Sequence, residues 1–261
     1  MPSARLYIIR HGETDENRSE IIQGHKDTQL NVAGLSQASV VANTMEKIPL
    51  TEVWSSDLQR AVKTAQIIIE KHPGLEISTS KALRERHLGV LEGKHFAARS
   101  KVLATFPGGV DPSAERVEAM EKRVMYWWDT EVLGLMSKPV PPPVALVNDN
   151  GIVHEHDKYT HDPSNVHHVL VVSHGGFIGS LVRKLVETGR IQSLRKTPMR
   201  GSNWVCHNTS ITTIDVGEDG KGTLVKYADI AHMLEAVKEG KVATRNADVP
   251  QEAMNAVSGR H

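Results

Sequence analysis

Residues 6–13 read LYIIRHGE, an apolar run that ends abruptly in Arg10, His11 and Gly12 with Glu13 behind them. The run is rich in β-branched and aromatic residues and too short for a stable helix, so it reads as a buried strand. Residues 169–176 repeat the arrangement as VLVVSHGG. In an open α/β sheet, ligands gather beyond the C-terminal ends of parallel strands. Two such strands in one sheet would bring His11 and His174 to a common edge. Gly12 and Gly175 lack side-chain bulk and let the backbone approach a ligand. Gly175 and Gly176 also open a predicted helix, whose free N–H groups favour anions.

Outward from these two strands the chain alternates between strand-like and helical patterns. Asn31 is placed to cap a helix from Val32, with Leu35, Ala38, Ala42 and Met45 at helical spacing. TEVWSS (51–56) is a second strand, and Asp57 is read as the cap of a helix through Lys71. LEISTS (75–80) is a third strand. A long helix is expected from about Ser113 to Leu135, with Val117, Met120, Val124, Trp127 and Trp128 facing the core. The helix after VLVVS carries Ile178, Leu181, Val182, Leu185 and Val186 at helical spacing. SITTIDV (210–216) and TLVKYAD (223–229) read as a terminal hairpin. The expected fold is α/β: a single three-layer domain over residues 1–240, with a mainly parallel sheet covered by helices on both faces.

The stretch at about 137–168 is rich in proline, asparagine and histidine and has no sustained period, so it is expected to be a surface insertion. His154, His156, His161, His167 and His168 lie in it at spacings that match no standard ligand set, and no metal site is assigned to them. Residues 241–261 are expected to form a flexible tail.

Lysine plus arginine equals aspartate plus glutamate at 31 each, for a formal net charge of zero. That balance gives no support to broad binding of nucleic acid or an anionic membrane, while leaving room for a local anion pocket. Cys206, the single cysteine, excludes an internal disulfide and a cysteine-type zinc site, which suits a reducing compartment. No stretch approaches a membrane span, and the N-terminus runs directly into the first strand. A cytoplasmic protein is expected.

Three further features surround the paired histidines. Arg60 lies in SSDLQRAVKTA, at the start of a helix leaving another strand. Glu85 lies in LRERHLGVLEG, and ENRSEIIQGHKD supplies Asn17, Gln23 and Gly24. Together, Arg10-His11-Gly12-Glu13-Thr14, Asn17, Gln23-Gly24, Arg60, the Glu85 region and Ser173-His174-Gly175 resemble the histidine phosphatase superfamily, in its phosphoglycerate-mutase-like branch. EIIQG, SSDLQR, LRERHLGVLEG and VLVVSHG are most similar to the TIGAR-like and fructose-2,6-bisphosphatase-like phosphatases of that family.

The resemblance implies a phosphoric monoester hydrolase that needs neither metal nor other cofactor and acts on a small phosphorylated metabolite. His11 would attack phosphorus, Arg10, Arg60 and His174 would hold the phosphoryl oxygens, and Glu85 would be the general acid and base. Asn17, Gln23, Gly24 and Gly175 would bind phosphate or substrate. The residue types suit these tasks, since neutral imidazole is nucleophilic and guanidinium matches phosphate. His174, if protonated in the anionic site, would contribute another donor to the equatorial oxygens. Sugar bisphosphates such as fructose 2,6-bisphosphate, or phosphoglycerates, are the implied substrates, with Lys26, Lys94, Arg99 and Lys101 available to a second anionic group.

A mutase is the first alternative, but LEGKHFAARSKV (91–102) contains no adjacent arginine pair to grip a carboxylate. A non-catalytic regulatory protein on the same scaffold is the second, and a metal-dependent hydrolase the third. The chain departs from the family pattern at Val110, where relatives often carry glutamate, and at Gln29, in place of a common proline.

Overall fold

The seven-residue strand β1 (Ala4–Arg10) pairs in parallel with β4 (His167–Ser173) from Ala4–His167 to Arg10–Ser173. In the computed structural model, which describes residues 3–141, 165–193 and 204–241, β1 sits inside a seven-stranded sheet. The sheet order is β3-β2-β4-β1-β6-β7-β5, with β2 (Glu52–Ser56), β3 (Ile77–Ser80), β5 (Ile191–Ser193), β6 (Ile211–Val216) and β7 (Gly222–Asp229). β6 runs antiparallel to both β1 and β7; the other neighbouring pairs are parallel. The architecture is therefore α/β with a mainly parallel, mixed sheet, and the expected β6–β7 hairpin is present.

Alternation along β1 assigns the two faces. Tyr7 and Ile9 pack with α2 (Val32–Met45) and α3 (Gln59–Ile69) through Val41, Ala42, Met45, Ala61 and Ala65. Leu6 and Ile8 face α5 (Val117–Trp127) and α7 (Gly175–Glu187), against Val124, Trp127, Trp128, Phe177 and Leu181. Burial on both faces explains the unbroken apolar runs in β1 and β4. The remaining helices are α1 (Asp15–Arg18), α4 (Arg99–Leu103), α6 (Leu133–Leu135) and α8 (Ala231–Lys238), which packs on α2.

Several boundaries differ from expectation. Asn31 caps α2 as read, its side chain accepting from Gly34 N. Asp57 does not cap α3: its carboxylate takes two bonds from Arg84 at 2.7 Å each, and the first helical N–H, Gln59 N, donates instead to the Asp27 carboxylate at 2.7 Å. The expected helix from Ser113 starts at Val117, since Ser113 instead bonds Asp111. Its far end is interrupted by a π-helical turn, Trp128–Val132, which keeps Trp127, Trp128, Val132 and Leu135 all buried. The expected insertion at 137–168 is corrected at its end, because His167 and His168 are the first residues of β4. His154, His156 and His161, and the tail beyond Lys241, lie outside the described residues.

Gly12 and Gly34 mark the closest approach of the β1 exit to α2. A Cβ on Gly12 would lie 2.5 Å from Gly34 O, and one on Gly34 would lie 2.0 Å from Glu13 O. Neither obstacle is a flexible side chain. Gly34→Ala is expected to cost about 2 kcal/mol or more in urea unfolding. Gly134→Ala, with nothing within 4 Å of its Cβ, should leave stability unchanged or raise it by up to about 1 kcal/mol.

Candidate active site

Because Arg10 and Ser173 are register partners, the residues that follow them emerge side by side at the sheet edge. The rings of His11 and His174 stand 5.1 Å apart at 59°. His11 Nδ1 lies 2.7 Å from Gly12 O. A carbonyl only accepts, so Nδ1 carries the proton and Nε2 keeps its lone pair. The backbone around this ring is held on three sides: His11 N donates to Ser173 O, Gly12 N to Thr64 Oγ1, and Asn208 Nδ2 to His11 O. His174 Nε2 is 2.8 Å from Ser56 Oγ.

Arg60 is 1% exposed. Its Nη1 donates to Lys26 O at 2.7 Å and its Nη2 to Gly24 O at 2.9 Å, which ties the 24–28 loop to α3. Arg10 donates through Nη1 to Cys206 O at 2.7 Å. Arg60 Nε and His174 Nδ1 are buried and have no hydrogen-bond partner among the described residues. Other buried polar atoms share that state, Trp127 Nε1 and Trp128 Nε1 among them, but Arg60 also lines a pocket together with His11.

Glu85 arrives from the loop after β3. Its carboxylate accepts from Arg86 N and from Gly176 N, each at 2.9 Å, and so sits on the N-terminus of α7. Gly176 makes this possible: a Cβ there would lie 2.1 Å from Glu85 Oε1. Arg123 holds the loop from behind. It donates to the carbonyls of Ala82, Arg84 and Glu85 and to the Glu115 carboxylate.

These groups open into a pocket of about 700 Å³ lined in part by Arg10, His11, Asn17, Gln23, Gly24, Arg60 and Glu85. His174 lies behind His11 and is fully buried. Asn17 Oδ1 accepts from Thr14 N and Thr14 Oγ1, leaving its NH₂ as a donor. Gln23 Oε1 likewise accepts from Thr28 Oγ1. Gly24 has φ +51°, and a Cβ there would meet Glu92 Oε1 at 2.2 Å. The expected contact by Gly175 is corrected: this glycine packs beside Arg10, and Gly176 is the one that lines the pocket. Of the four cations considered for a second anionic group, only Arg99 lines it. Lys26 instead pairs with Glu16. Val110 is 67% exposed and away from the lining, and Gln29 contacts Gln59.

Sequence reading missed Ser56, Thr64, Asn208, Gly176 and Arg123. Thr64 carried a usable signal, four residues after Arg60 on the same helix face. Asn208 and Arg123 reach the site only through tertiary packing.

The electrostatics favour neutral imidazoles. Burial, then Arg60 and Arg10, holds His11 well below the usual histidine range. Burial followed by Arg60, His11 and Arg10 does the same to His174. Protonation of His174 is thus disfavoured unless a bound anion offsets the arginines. Burial lowers Arg60 to about 10, which still leaves it cationic at neutral pH.

Residues 6–140, just over half of the chain, match the family model described as Histidine phosphatase superfamily (branch 1). "Phosphoglycerate mutase-like protein 4" of Arabidopsis thaliana is 32% identical, over 89% of this chain and 88% of that protein. "Fructose-2,6-bisphosphatase TIGAR B" of Danio rerio is 33% identical, over 70% and 74%. The native structure of a mycobacterial glucosyl-3-phosphoglycerate phosphatase superposes with a TM-score of 0.60 at 26% identity, over 86% of this chain and 98% of that one. The chain belongs to the histidine phosphatase superfamily and is an enzyme of the phosphoric monoester hydrolase class.

The buried neutral histidines set a pH dependence. Between the unfolded value near 6.5 and their lower folded values, the unfolded chain binds more protons, so stability falls as pH drops below about 6.5. His11→Asn should make that slope shallower by about 0.7 kcal/mol per pH unit on average in denaturant unfolding between pH 7.5 and 5.5.

Proposed function

We propose that the protein hydrolyses a small phosphomonoester, without a metal, through a phosphohistidine on His11. The observation that carries this reading is the His11 tautomer: Nδ1–H is committed to Gly12 O, and Nε2 sits among Arg10, Arg60 and the second histidine. In the first half-reaction, His11 Nε2 attacks phosphorus in line with the leaving oxygen. The N–P bond forms as the ester P–O bond breaks, and Glu85 delivers a proton to the departing alcohol. In the second half, Glu85 takes a proton from water, the water oxygen bonds to phosphorus, and the N–P bond breaks to release phosphate and restore His11.

Arg10 and Arg60 supply two permanent charges where the equatorial oxygens carry theirs, the largest requirement of phosphoryl transfer. Arg60 Nε and His174 Nδ1 are the buried atoms that a phosphoryl group would satisfy. A dianion between the arginines and His174 also offsets the charge that keeps this imidazole neutral. Asn17 and Gln23 contribute amide donors, and the Gly24 carbonyl keeps Arg60 aimed.

Hydrolysis is favoured over mutase chemistry because residues 91–102 place one arginine, Arg99, on the pocket. Glu92 in that stretch is structural: its carboxylate accepts from His25 N and Leu88 N. Similarity to TIGAR B brings sugar bisphosphates such as fructose 2,6-bisphosphate, and phosphoglycerates, into consideration, but of the four cations considered only Arg99 lines the pocket to meet a second anion, so that likeness does not set the leaving-group class. A reducing cytoplasmic setting is consistent with the free, buried Cys206.

The test is phosphate release in EDTA together with trapping of an acid-labile, base-stable phosphoenzyme. His11→Ala should abolish both. Glu85→Gln should lower kcat on alkyl phosphates by about 10²–10³ and far less on p-nitrophenyl phosphate, whose leaving group needs no proton. Full activity in His11→Ala would sink the covalent route.

A further inference from the structure

The outer half of the pocket differs in kind from the phosphoryl end. Ile22, Leu88, Leu91, Phe96 and Val117 line it, yet none of them belongs to the apolar clusters that hold the helices to the sheet. Phe96 is 60% exposed and Val117 43%. Folding therefore does not account for Phe96 and Val117, while Leu91 is buried, and exposed apolar residues gathered at a pocket mark a ligand surface. Met120, from α5, continues the wall inward to the helix core.

The polar groups on this wall are few or already engaged. Arg183 is bound to the Glu121 carboxylate at 2.7 Å, and the nearest partner of Ser180 Oγ is Met120 Sδ at 4.0 Å. Arg86 reaches the Glu115 carbonyl. Arg99 is exposed and has no partner among the described residues. A sugar carrying several hydroxyls and a second phosphate would find Arg99 and the Asn17 and Gln23 amides, but against the apolar wall it would exchange water for a surface that cannot replace its other hydrogen bonds. A hydrocarbon or aryl group would instead cover Phe96, Val117 and Leu88 at no such cost.

We infer that the enzyme selects phosphomonoesters of apolar or aromatic alcohols over sugar bisphosphates and phosphoglycerates, with Phe96 and Val117 as the specificity-determining contacts. The inference rests on the phosphatase reading of the site and narrows its substrate class. Chemistry at His11 and Glu85 is common to all these esters, so the wall enters through recognition of the leaving group.

The test compares kcat/KM for 3-phenylpropyl phosphate, glycerol 3-phosphate, 3-phosphoglycerate and fructose 2,6-bisphosphate by phosphate release. The first is an unactivated primary alkyl ester, so an easy leaving group cannot produce the preference. The phenylpropyl ester should exceed each of the others by about tenfold or more, a difference of the size that apolar pockets supply. Phe96→Ala and Val117→Ser, both at exposed positions that the fold does not need, should each shrink that ratio by about fivefold through KM. Preference for the bisphosphate or the phosphoglycerate, or a ratio unchanged in both variants, overturns the apolar assignment and leaves the phosphatase reading standing. No release from any ester overturns both.

Discussion

A permanent positive charge carried into a nearly water-free interior organises this active site. Arg60 cannot discard its proton at neutral pH, so its burial must be compensated by oxygen atoms. The carbonyls of Gly24 and Lys26 do this, and Glu85, Asp27 and Glu16 add a favourable field. The loop from Gln23 to Thr28 is shaped by that duty. Gly24 takes a left-handed conformation over Glu92, and Glu92 fixes the next residue through His25 N. After burial, which is the larger cause, the same charge lowers the tendency of His11 and His174 to take a proton. One buried cation thus shapes a loop and biases the protonation of two histidines beside it.

Legibility in the sequence followed the range of the interactions involved. β1, β4, α2 and α7 were readable because each has a local pattern: unbroken apolar runs for strands buried on both faces, 3.6-residue spacing for helices, and Asn31 at a helix start. His11, Arg10, Arg60, Glu85 and His174 were readable because family motifs surround them. What failed depended on choices between partners distant in sequence. Asp57 looks like a cap until Arg84 is placed beside it. Ser113 looks like a helix start until Asp111 takes its hydroxyl. Gly175 and Gly176 are equivalent in sequence, and only the position of Glu85 shows which must lack a side chain. Arg123 had no local sign, because its partners are carbonyls about 40 residues away.

The pocket combines two recognition regimes separated by a few residues. Around phosphorus, the groups are buried, charged and mutually fixed, which suits an oxyanion of constant shape. Beyond Glu85 the wall is apolar and partly exposed, with few directional contacts. Arg123 and the Asp57–Arg84 pair belong to the first regime, since both stiffen loops that present catalytic groups.

The position of β1 within the sheet has a consequence for biosynthesis. The first strand of the chain is flanked by β4 and β6, so both of its hydrogen-bonded edges wait for residues 167–173 and 211–216. Pairing across such separations is slow and carries a large loop-closure cost. During synthesis, an apolar segment at the leading end therefore stays unpaired while most of the chain is still being made. His174 arrives with β4 and Asn208 just before β6, so no amino-terminal fragment that stops short of them contains an assembled site. Catalytic competence is acquired late and all at once, when the last central strand closes over the first.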